Sequence, residues 1–362
     1  MSQAFHPQQQ LPQQPLPVAR AFATASEVIE VTPISDGHIH DTYRCACRDG
    51  ALSILQRINT AVFVDPAAVM RNIVIVLSAA NAGHRAIRLP ALIGASQPDA
   101  ALPVVRRPDG SWWRMWHAIP GAVSAPIPAR PREANACGRG FGAFLAFTRE
   151  LEPKRLTETI PRFHDIERRL GELADAIRLD PAGRLSGVKR EVGLVEERAS
   201  RMTSYFRSLG RIAPRVTHND TKFNNILLDA QSGEPRAVID LDTVMAGYAA
   251  YDFGDGARTG AATAAEDTGE PQLMGLNRES FRAYADGFLE EASLSADELA
   301  TLPQATAYMT FIMAVRFLTD YLSGDRYYHV DDPEHNLRRA RAQLSLVLAL
   351  EADADQIRAV FP

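Results

Sequence analysis

V-T-H-N-D-T-K-F-N-N-I-L-L-D at residues 216–229, followed by A-V-I-D-L-D-T at 237–243, decides how the rest of the chain is read. Two short apolar runs, 226–228 and 237–241, flank the turn-forming A-Q-S-G-E-P, so they fold back on each other as a β-hairpin. Asn225 then stands at the start of the first strand and Asp240 near the end of the second, with Asp220 on the loop just before them. Two carboxylates and a carboxamide converge.

That convergence suits phosphoryl transfer, in which the protein positions the reactants and stabilises charge on phosphate oxygens more than it does covalent chemistry. Mg²⁺ takes hard oxygen ligands and keeps several waters, so Asn225 and Asp240, completed by ATP phosphates, form a metal site. Asp220 is left to accept the proton of the attacking hydroxyl. The spacing H-x-D-x-x-x-x-N is that of a kinase catalytic loop, with Asp240 one hairpin later as the second metal ligand. Asp242 reads equally as a further metal contact or as a strand-end residue bonded to the loop. His-Asn-Asp alone is common turn chemistry; three metal-type side chains at these offsets are not explained by turns.

H-N-D-T-K-F-N-N-I-L with V-I-D-L-D-T resembles the aminoglycoside phosphotransferase and choline kinase branch of the protein-kinase-like fold. Within that branch four further stretches resemble N-acetylhexosamine 1-kinases: G-H-I-H-D-T-Y at 37–43, L-Q-R-I-N at 55–59, Y-D-F-G-D at 251–255 and R-F-L-T-D-Y-L at 316–322. The similarity runs from about residue 28 to 346. It implies an α+β, bilobal protein-kinase-like fold with a small β-rich N-lobe, 26–117, and a larger, mainly helical C-lobe, 118–362. Asp240 rather than Asp252 becomes the metal ligand, and Asp252 starts a helix that braces the catalytic loop.

Length and composition agree. The 362 residues are 46% hydrophobic, enough for a full core, and the net charge of -5 argues against a nucleic-acid surface. The most apolar helix candidate, 308–322, carries Arg316 and Asp320, which excludes a membrane span. Three cysteines are too few for a disulfide framework, which fits a reducing cytoplasm. The first twenty-odd residues hold H-P-Q-Q-Q-L-P-Q-Q-P-L-P; a tail over 1–25 that stays flexible is expected, because such a segment buries too little to offset its ordering entropy.

From about residue 29 to 119 the chain reads as strands. H-I-H-D-T-Y-R-C-A-C and A-L-S-I-L-Q-R-I, joined by R-D-G, form a hairpin. By resemblance this hairpin covers the ATP phosphates, with Gly37 in its loop and Arg57 as the cation on the α- and β-phosphates, where a guanidinium fork suits phosphate. D-P-A-A-V-M-R-N-I-V-I-V-L-S-A-A at 65–80 predicts a helix, yet offers no glutamate to hold Arg57; Asn72 or a carboxylate from elsewhere is left to do so. G-S-W-W-R-M-W-H-A-I-P-G at 110–121 reads as a strand running into the break between lobes, and two of its three tryptophans as packing residues.

Beyond Pro131 helices are expected over 134–149, 162–177, 187–209, 280–292, 295–300, 304–322 and 333–351. His164 reads as a structural histidine, and a zinc site at His38 and His40 lacks further ligands. Arg316 and Asp320 lie four apart on one helix face, as an intrahelical ion pair or as a substrate-facing end with Tyr327 and Tyr328 beyond it. By resemblance Arg316 and Tyr327 lie over a sugar near Asp220, and Asp36, His38 or Asp41 approach it from the N-lobe hairpin. The implied activity is ATP- and Mg²⁺-dependent phosphorylation of the anomeric hydroxyl of an N-acetylhexosamine such as GlcNAc or GalNAc. Aminoglycoside, choline and homoserine kinases share the core motifs, and a non-catalytic nucleotide-binding module is the alternative of another class.

Overall fold

The computed structural model describes residues 15–34, 39–80, 88–97 and 102–362. The chain separates into two compact units, Met1–Ala67 with Pro90–Ile119, and Ala68–Leu89 with Pro120–Pro362.

The first unit is built on an antiparallel sheet. Its elements are α1 (Pro15–Ala19), β1 (Val28–Ile34), β2 (Asp41–Cys47), β3 (Leu52–Arg57), β4 (Leu92–Ile93), β5 (Val105–Arg106) and β6 (Trp112–His117), in the spatial order β1-β2-β3-β6-β4 with β5 also on β6. β2 and β3 form the expected hairpin, turned at Gly50, whose φ of 84° is open to a residue without a side chain. Alternation along the strands sends Cys45, Leu55, Trp113 and Met115 into one core. Trp113 and Trp116 are buried, as expected for two of the three tryptophans. Trp116 Nε1 and Arg114 Nε both donate to Gln56 Oε1 at 2.9 Å.

The tail expectation fails for its last part. Val18, Ala19 and Phe22 sit in the core of this sheet, and Ala23 and Ser96 exchange backbone hydrogen bonds with Gly94 and Ala21. The apolar triplet is enough to hold Pro15 onward in place, each large side chain contributing about 1.5–3 kcal/mol.

The second unit is mainly helical. It contains most of α2 (Pro66–Ala80), then β7 (Ala122–Ser124), α3 (Pro131–Phe147), α4 (Ile166–Leu179), α5 (Lys189–Leu209), β8 (Arg215–Thr217), β9 (Ile226–Asp229), β10 (Pro235–Val238), β11 (Met245–Gly247), α6 (Ala249–Gly260), α7 (Arg278–Glu291), α8 (Ala296–Leu322), α9 (His335–Ala352) and α10 (Ala354–Arg358). β9 and β10 form the predicted hairpin, extended by β7, and β8 pairs with β11. α2 joins this unit because Met70, Ile73 and Val76 are buried and Asn72 is spent on it: the amide donates to Thr157 O (2.8 Å) and Val244 O (3.1 Å) and accepts from Thr157 N (2.9 Å).

Glycines set the closest helix crossing. A Cβ on Gly138 of α3 would meet Tyr284 O of α7 at 2.2 Å, and one on Gly287 would meet Asn135 O at 2.3 Å. The backbones approach so closely that only hydrogen fits. Where a break at Pro303 is expected, α8 runs through it as one helix of 27 residues. The proline forfeits one ladder bond, while Leu302, Ala305, Thr306 and Met309 around it are buried, and that packing outweighs the local penalty. Among the described residues no helix is long and apolar enough to cross a membrane.

Candidate active site

β8 ends at Thr217, and the loop that follows is held from several sides. His218 N and Asn219 N donate to the two carboxylate oxygens of Asp252 at 2.9 and 2.8 Å. Asp252 lies fully buried in the first turn of α6, where burial pushes its carboxyl up to about 6 against the pull of these donors. Its own carbonyl accepts from Thr221 Oγ1 at 2.6 Å. The D-F-G triplet therefore braces the loop, as expected, rather than facing a metal.

Asn219 takes a φ of 63°, a left-handed conformation that asparagine tolerates, and its amide donates to Thr243 O at 3.0 Å. The Asn219 carbonyl accepts from His164 Nε2 at 2.9 Å, which fixes that ring's tautomer. Burial pushes His164 down to about 3, so it stays neutral, and its carbonyl accepts from Tyr308 Oη at 2.7 Å. His164 is a support for the loop. His218 is another: Nε2 donates to Ile239 O at 2.9 Å while Nδ1 accepts from Asp220 N at 3.3 Å.

These bonds bring the side chains of Asp220 and Asn225 together and set Asp240 next to the Asn225 backbone. Asn225 Nδ2 donates to Asp220 Oδ2 and to Asp220 O, both at 2.8 Å, which turns the amide oxygen away from Asp220. Ile239 N donates to Asn225 O at 2.9 Å, so β10 leaves the hairpin beside Asn225 and Asp240 comes next. The second strand ends at Val238, three residues short of expectation, and Asp240 sits beyond it with φ 62° and ψ 64°. Asp240 is exposed and Asp242 buried, with one carboxylate oxygen of each within 4.8 Å of the other. Hard, anionic oxygen donors at that separation, with the Asn225 amide oxygen, are the donor chemistry Mg²⁺ takes.

Lys222 carries a signal that the sequence reading passed over, a cation two residues after Asp220. Its Nζ lies 3.3 Å from Asp220 Oδ1. Burial alone would raise the Asp220 carboxyl; the Lys222 ammonium, together with the Asn225 amide, outweighs it and holds Asp220 below the usual range. Lys222 is in turn held in its charged form, against burial, by Asp220, Glu266 and Asp255. Behind it Arg258 Nε donates to Asp255 Oδ1 at 2.8 Å and Nη1 to Glu266 and, at 3.3 Å, to Gln343 Oε1. Burial would raise Glu266 too, yet Arg258 and Lys222 bring it down to about 2. This ionic layer, drawn from α6, the segment after it and α9, has no local sequence signature.

Arg316 and Asp320 do not pair. Asp320 accepts from Arg326 N, Tyr327 N and Tyr328 N at 2.9–3.0 Å and from Asn336 Nδ2 at 2.9 Å, closing the turn after α8. Arg316, half-buried, is instead enclosed by rings: its guanidinium lies 4.9 Å from the Phe163 centroid, 5.6 Å from Tyr327 and 5.5 Å from Tyr328. Burial disfavours its charge; the two phenols and the Asp220 carboxylate favour it.

In the first unit Arg57 Nη1 lies 3.4 Å from Asp41 Oδ2, its direct partner across the β2–β3 ladder. That answers which carboxylate stands by Arg57, since Asn72 is committed elsewhere. Both side chains stay about half exposed, and a cleft of about 350 Å³ lined by Asp41, Arg57, Asn59 and Asp109 opens beside them. Asp36, Gly37 and His38, singled out by the sequence, lie outside the described residues.

Solved structures with this fold support the comparison. An aminoglycoside phosphotransferase from Alicyclobacillus acidocaldarius superposes with a TM-score of 0.62 at 14% identity, covering 97% of each chain. A microcompartment-associated aminopropanol kinase gives 0.60 at 13%, over 94% of this chain and 97% of that one. The amicoumacin kinase solved with AMP-PNP and Ca²⁺ gives 0.56 at 15%, over 87% of each. At such identities the likeness establishes the fold, which is the α+β, protein-kinase-like one expected. The sequence itself goes further, because residues 30–299 match the profile of the phosphotransferase enzyme family, described as APH. With that match spanning most of the chain, and with its catalytic-loop spacing closed into one braced loop, the protein belongs to the APH phosphotransferase family.

Proposed function

We propose that this phosphotransferase moves the γ-phosphoryl group of ATP, with Mg²⁺, to a hydroxyl of a neutral sugar, the anomeric hydroxyl of an N-acetylhexosamine being the acceptor the sequence resemblance suggests. One observation carries the kinase chemistry: Asp220 is fixed by Asn225 at 2.8 Å and Lys222 at 3.3 Å on a loop whose hairpin also brings in Asp240. Asp220 accepts the hydrogen bond of the attacking hydroxyl and takes its proton. Its low basicity suits a loose transition state, in which the proton leaves late and positioning supplies most of the catalysis. Asn225, Asp240 and Asp242 would hold the metal, which would supply charge neutralisation at the phosphates when bound. Lys222 lies where it can stabilise negative charge developing beside Asp220. Gly37 and Arg57 are assigned to nucleotide phosphates and Asp36, His38 and Asp41 to the acceptor on the sequence resemblance, with Asp41 also steadying Arg57.

Arg316 supports the proposed acceptor class. A half-buried guanidinium facing aromatic rings and acting on Asp220 repels a polycationic aminoglycoside or choline and donates to hydroxyl or acetamide oxygens. The rival reading, a kinase for an amino-bearing acceptor, draws on the names of the structural neighbours. An ATP-consumption screen over N-acetylglucosamine, N-acetylgalactosamine, kanamycin, choline and homoserine, with mass detection of the product, separates the two. Asp220→Asn should keep the fold and lower kcat by about 10²–10⁴ on the active acceptor. Near wild-type turnover in that variant ends the role given to Asp220, and preference for kanamycin or choline ends the sugar assignment.

A further inference from the structure

Tyr328 stands out because its surroundings are fixed while its hydroxyl is not used. Its backbone N–H is held by Asp320 Oδ2 at 3.0 Å, and the same carboxylate holds Arg326 and Tyr327. Asn336 Nδ2 ties Asp320 to Asp325 at 2.9 Å each, and Arg184 adds Tyr321 O at 2.8 Å and Asp325 Oδ2 at 2.5 Å. The ring is clamped too, 4.8 Å from Phe317, 4.8 Å from Tyr327 and 5.5 Å from the Arg316 guanidinium. Yet the phenolic oxygen is buried and makes no hydrogen bond among the described residues.

A buried hydroxyl without a partner costs about 1–3 kcal/mol, and phenylalanine would fill the same space without that cost. Buried tyrosines elsewhere in this unit avoid it: Tyr205 donates to Thr301 O at 2.8 Å and Tyr308 to His164 O at 2.7 Å. Two more orphaned atoms belong to the ionic layer beside Lys222, Asp255 Oδ2 and Arg258 Nη2, both on side chains more than nine-tenths buried. The charges that act on the Tyr328 phenol, Arg316, Glu266 and Lys222, include the two cations that act on Asp220. Geometry points the same way: the Arg316 guanidinium 5.5 Å from the Tyr328 ring also lies 4.9 Å from Phe163, whose neighbour His164 donates to the carbonyl of Asn219, the residue before Asp220.

Resting on the acceptor site proposed at Asp220, we infer that the Tyr328 hydroxyl is a specificity-determining contact that hydrogen-bonds a hydroxyl or carbonyl substituent of the acceptor. Arg316 and the Asp320-capped turn position it. The phenol both donates and accepts, so it suits a polyhydroxy molecule whose hydroxyls do the same. A site that leaves a buried polar group unpaired discriminates against acceptors lacking the matching substituent.

Tyr328→Phe removes the hydroxyl alone. The acceptor is whichever of N-acetylglucosamine, N-acetylgalactosamine, kanamycin and ethanolamine the wild type phosphorylates fastest, and the deoxy analogues of that acceptor are assayed beside it. The variant is expected to melt at the wild-type temperature or above it, to raise the acceptor KM about three- to tenfold, and to leave kcat and the KM for ATP within about twofold. One deoxy analogue should show the same KM with both enzymes. An unchanged acceptor KM in a folded variant overturns the inference, as does a lower melting temperature with kcat and both KM values altered together, the mark of a structural role. Fastest turnover of kanamycin or ethanolamine refutes the sugar reading separately, since the Tyr328→Phe comparison is still made on that acceptor. No turnover of any of the four overturns both.

Discussion

Lys222→Met tests the electrostatics of the site most directly. In the wild type burial raises the Asp220 carboxyl, and the ammonium 3.3 Å away, with the His218 ring and the Asn225 amide, lowers it. At an effective dielectric of about 20, two unit charges at that distance attract by about 5 kcal/mol. The side chains keep 30% and 23% of their exposure, so water screens much of that attraction. Methionine removes the attraction and leaves the burial. The wild-type carboxyl is depressed, so the base is ionised at every pH above the ordinary aspartate range and kcat/KM should be flat on the acid side down to about pH 5. In the variant that limb should move to higher pH, while Lys222→Arg should largely restore the wild-type profile. Stability should respond as well: Asp220 stabilises the wild type above its unfolded pKa and that contribution is lost as pH falls through the folded one, and in Lys222→Met the contribution should shrink. Initial rates by coupled ADP detection between pH 4.5 and 8.5, with unfolding midpoints at pH 5 and 7.5, read both effects. An acid limb at the same pH in wild type and variant would refute the account of Lys222.

Asp240→Ala should abolish turnover at ordinary Mg²⁺ and weaken ATP binding in its presence, since Asn225 carries no charge to hold the ion; titration calorimetry showing unchanged Mg-ATP affinity would remove Asp240 from the metal site. Arg316→Ala should raise the KM for an N-acetylhexosamine by about tenfold or more, the scale of a hydrogen bond to a charged group, with the KM for ATP unmoved. An unchanged sugar KM would end the sugar-pocket assignment and leave the kinase assignment standing. Gly138→Ala drives a methyl into Tyr284 O, a backbone atom that cannot rotate away, and should destabilise the second unit by about 1–3 kcal/mol or more. A denaturant midpoint equal to the wild type's would show that α3 and α7 can separate freely.

Much of the candidate site was legible because its geometry is local. Asp220 and Asn225 are five residues apart, and the turn between β9 and β10 is only five residues long, so short-range hydrogen bonds nearly suffice to join Asp220 to Asn225 and to set Asp240 just past the hairpin. The strand–turn–strand pattern and the family resemblance carried the fold class for the same reason: alternation and turn residues act over a few positions. The bracing role of Asp252 came with the family resemblance, and the structure shows it in the two backbone N–H groups that Asp252 accepts.

What tertiary structure alone decided are partnerships between distant stretches. Arg316 and Asp320 share a helix face and sequence reasoning offers them to each other, but Asp320 gains four donors from the turn and α9, and Arg316 gains three rings, one of them from residue 163. A carboxylate in a buried turn is satisfied better by several N–H donors than by one solvated guanidinium, and no local pattern announces that choice. The Lys222–Glu266–Arg258–Asp255 layer arises the same way, from charges up to 44 residues apart in sequence that share one low-dielectric space. α2 joins the second unit through Asn72, and Val18 and Phe22 pin the end of a polar tail, because apolar contacts and buried amides answer to what packs against them rather than to their neighbours in the chain.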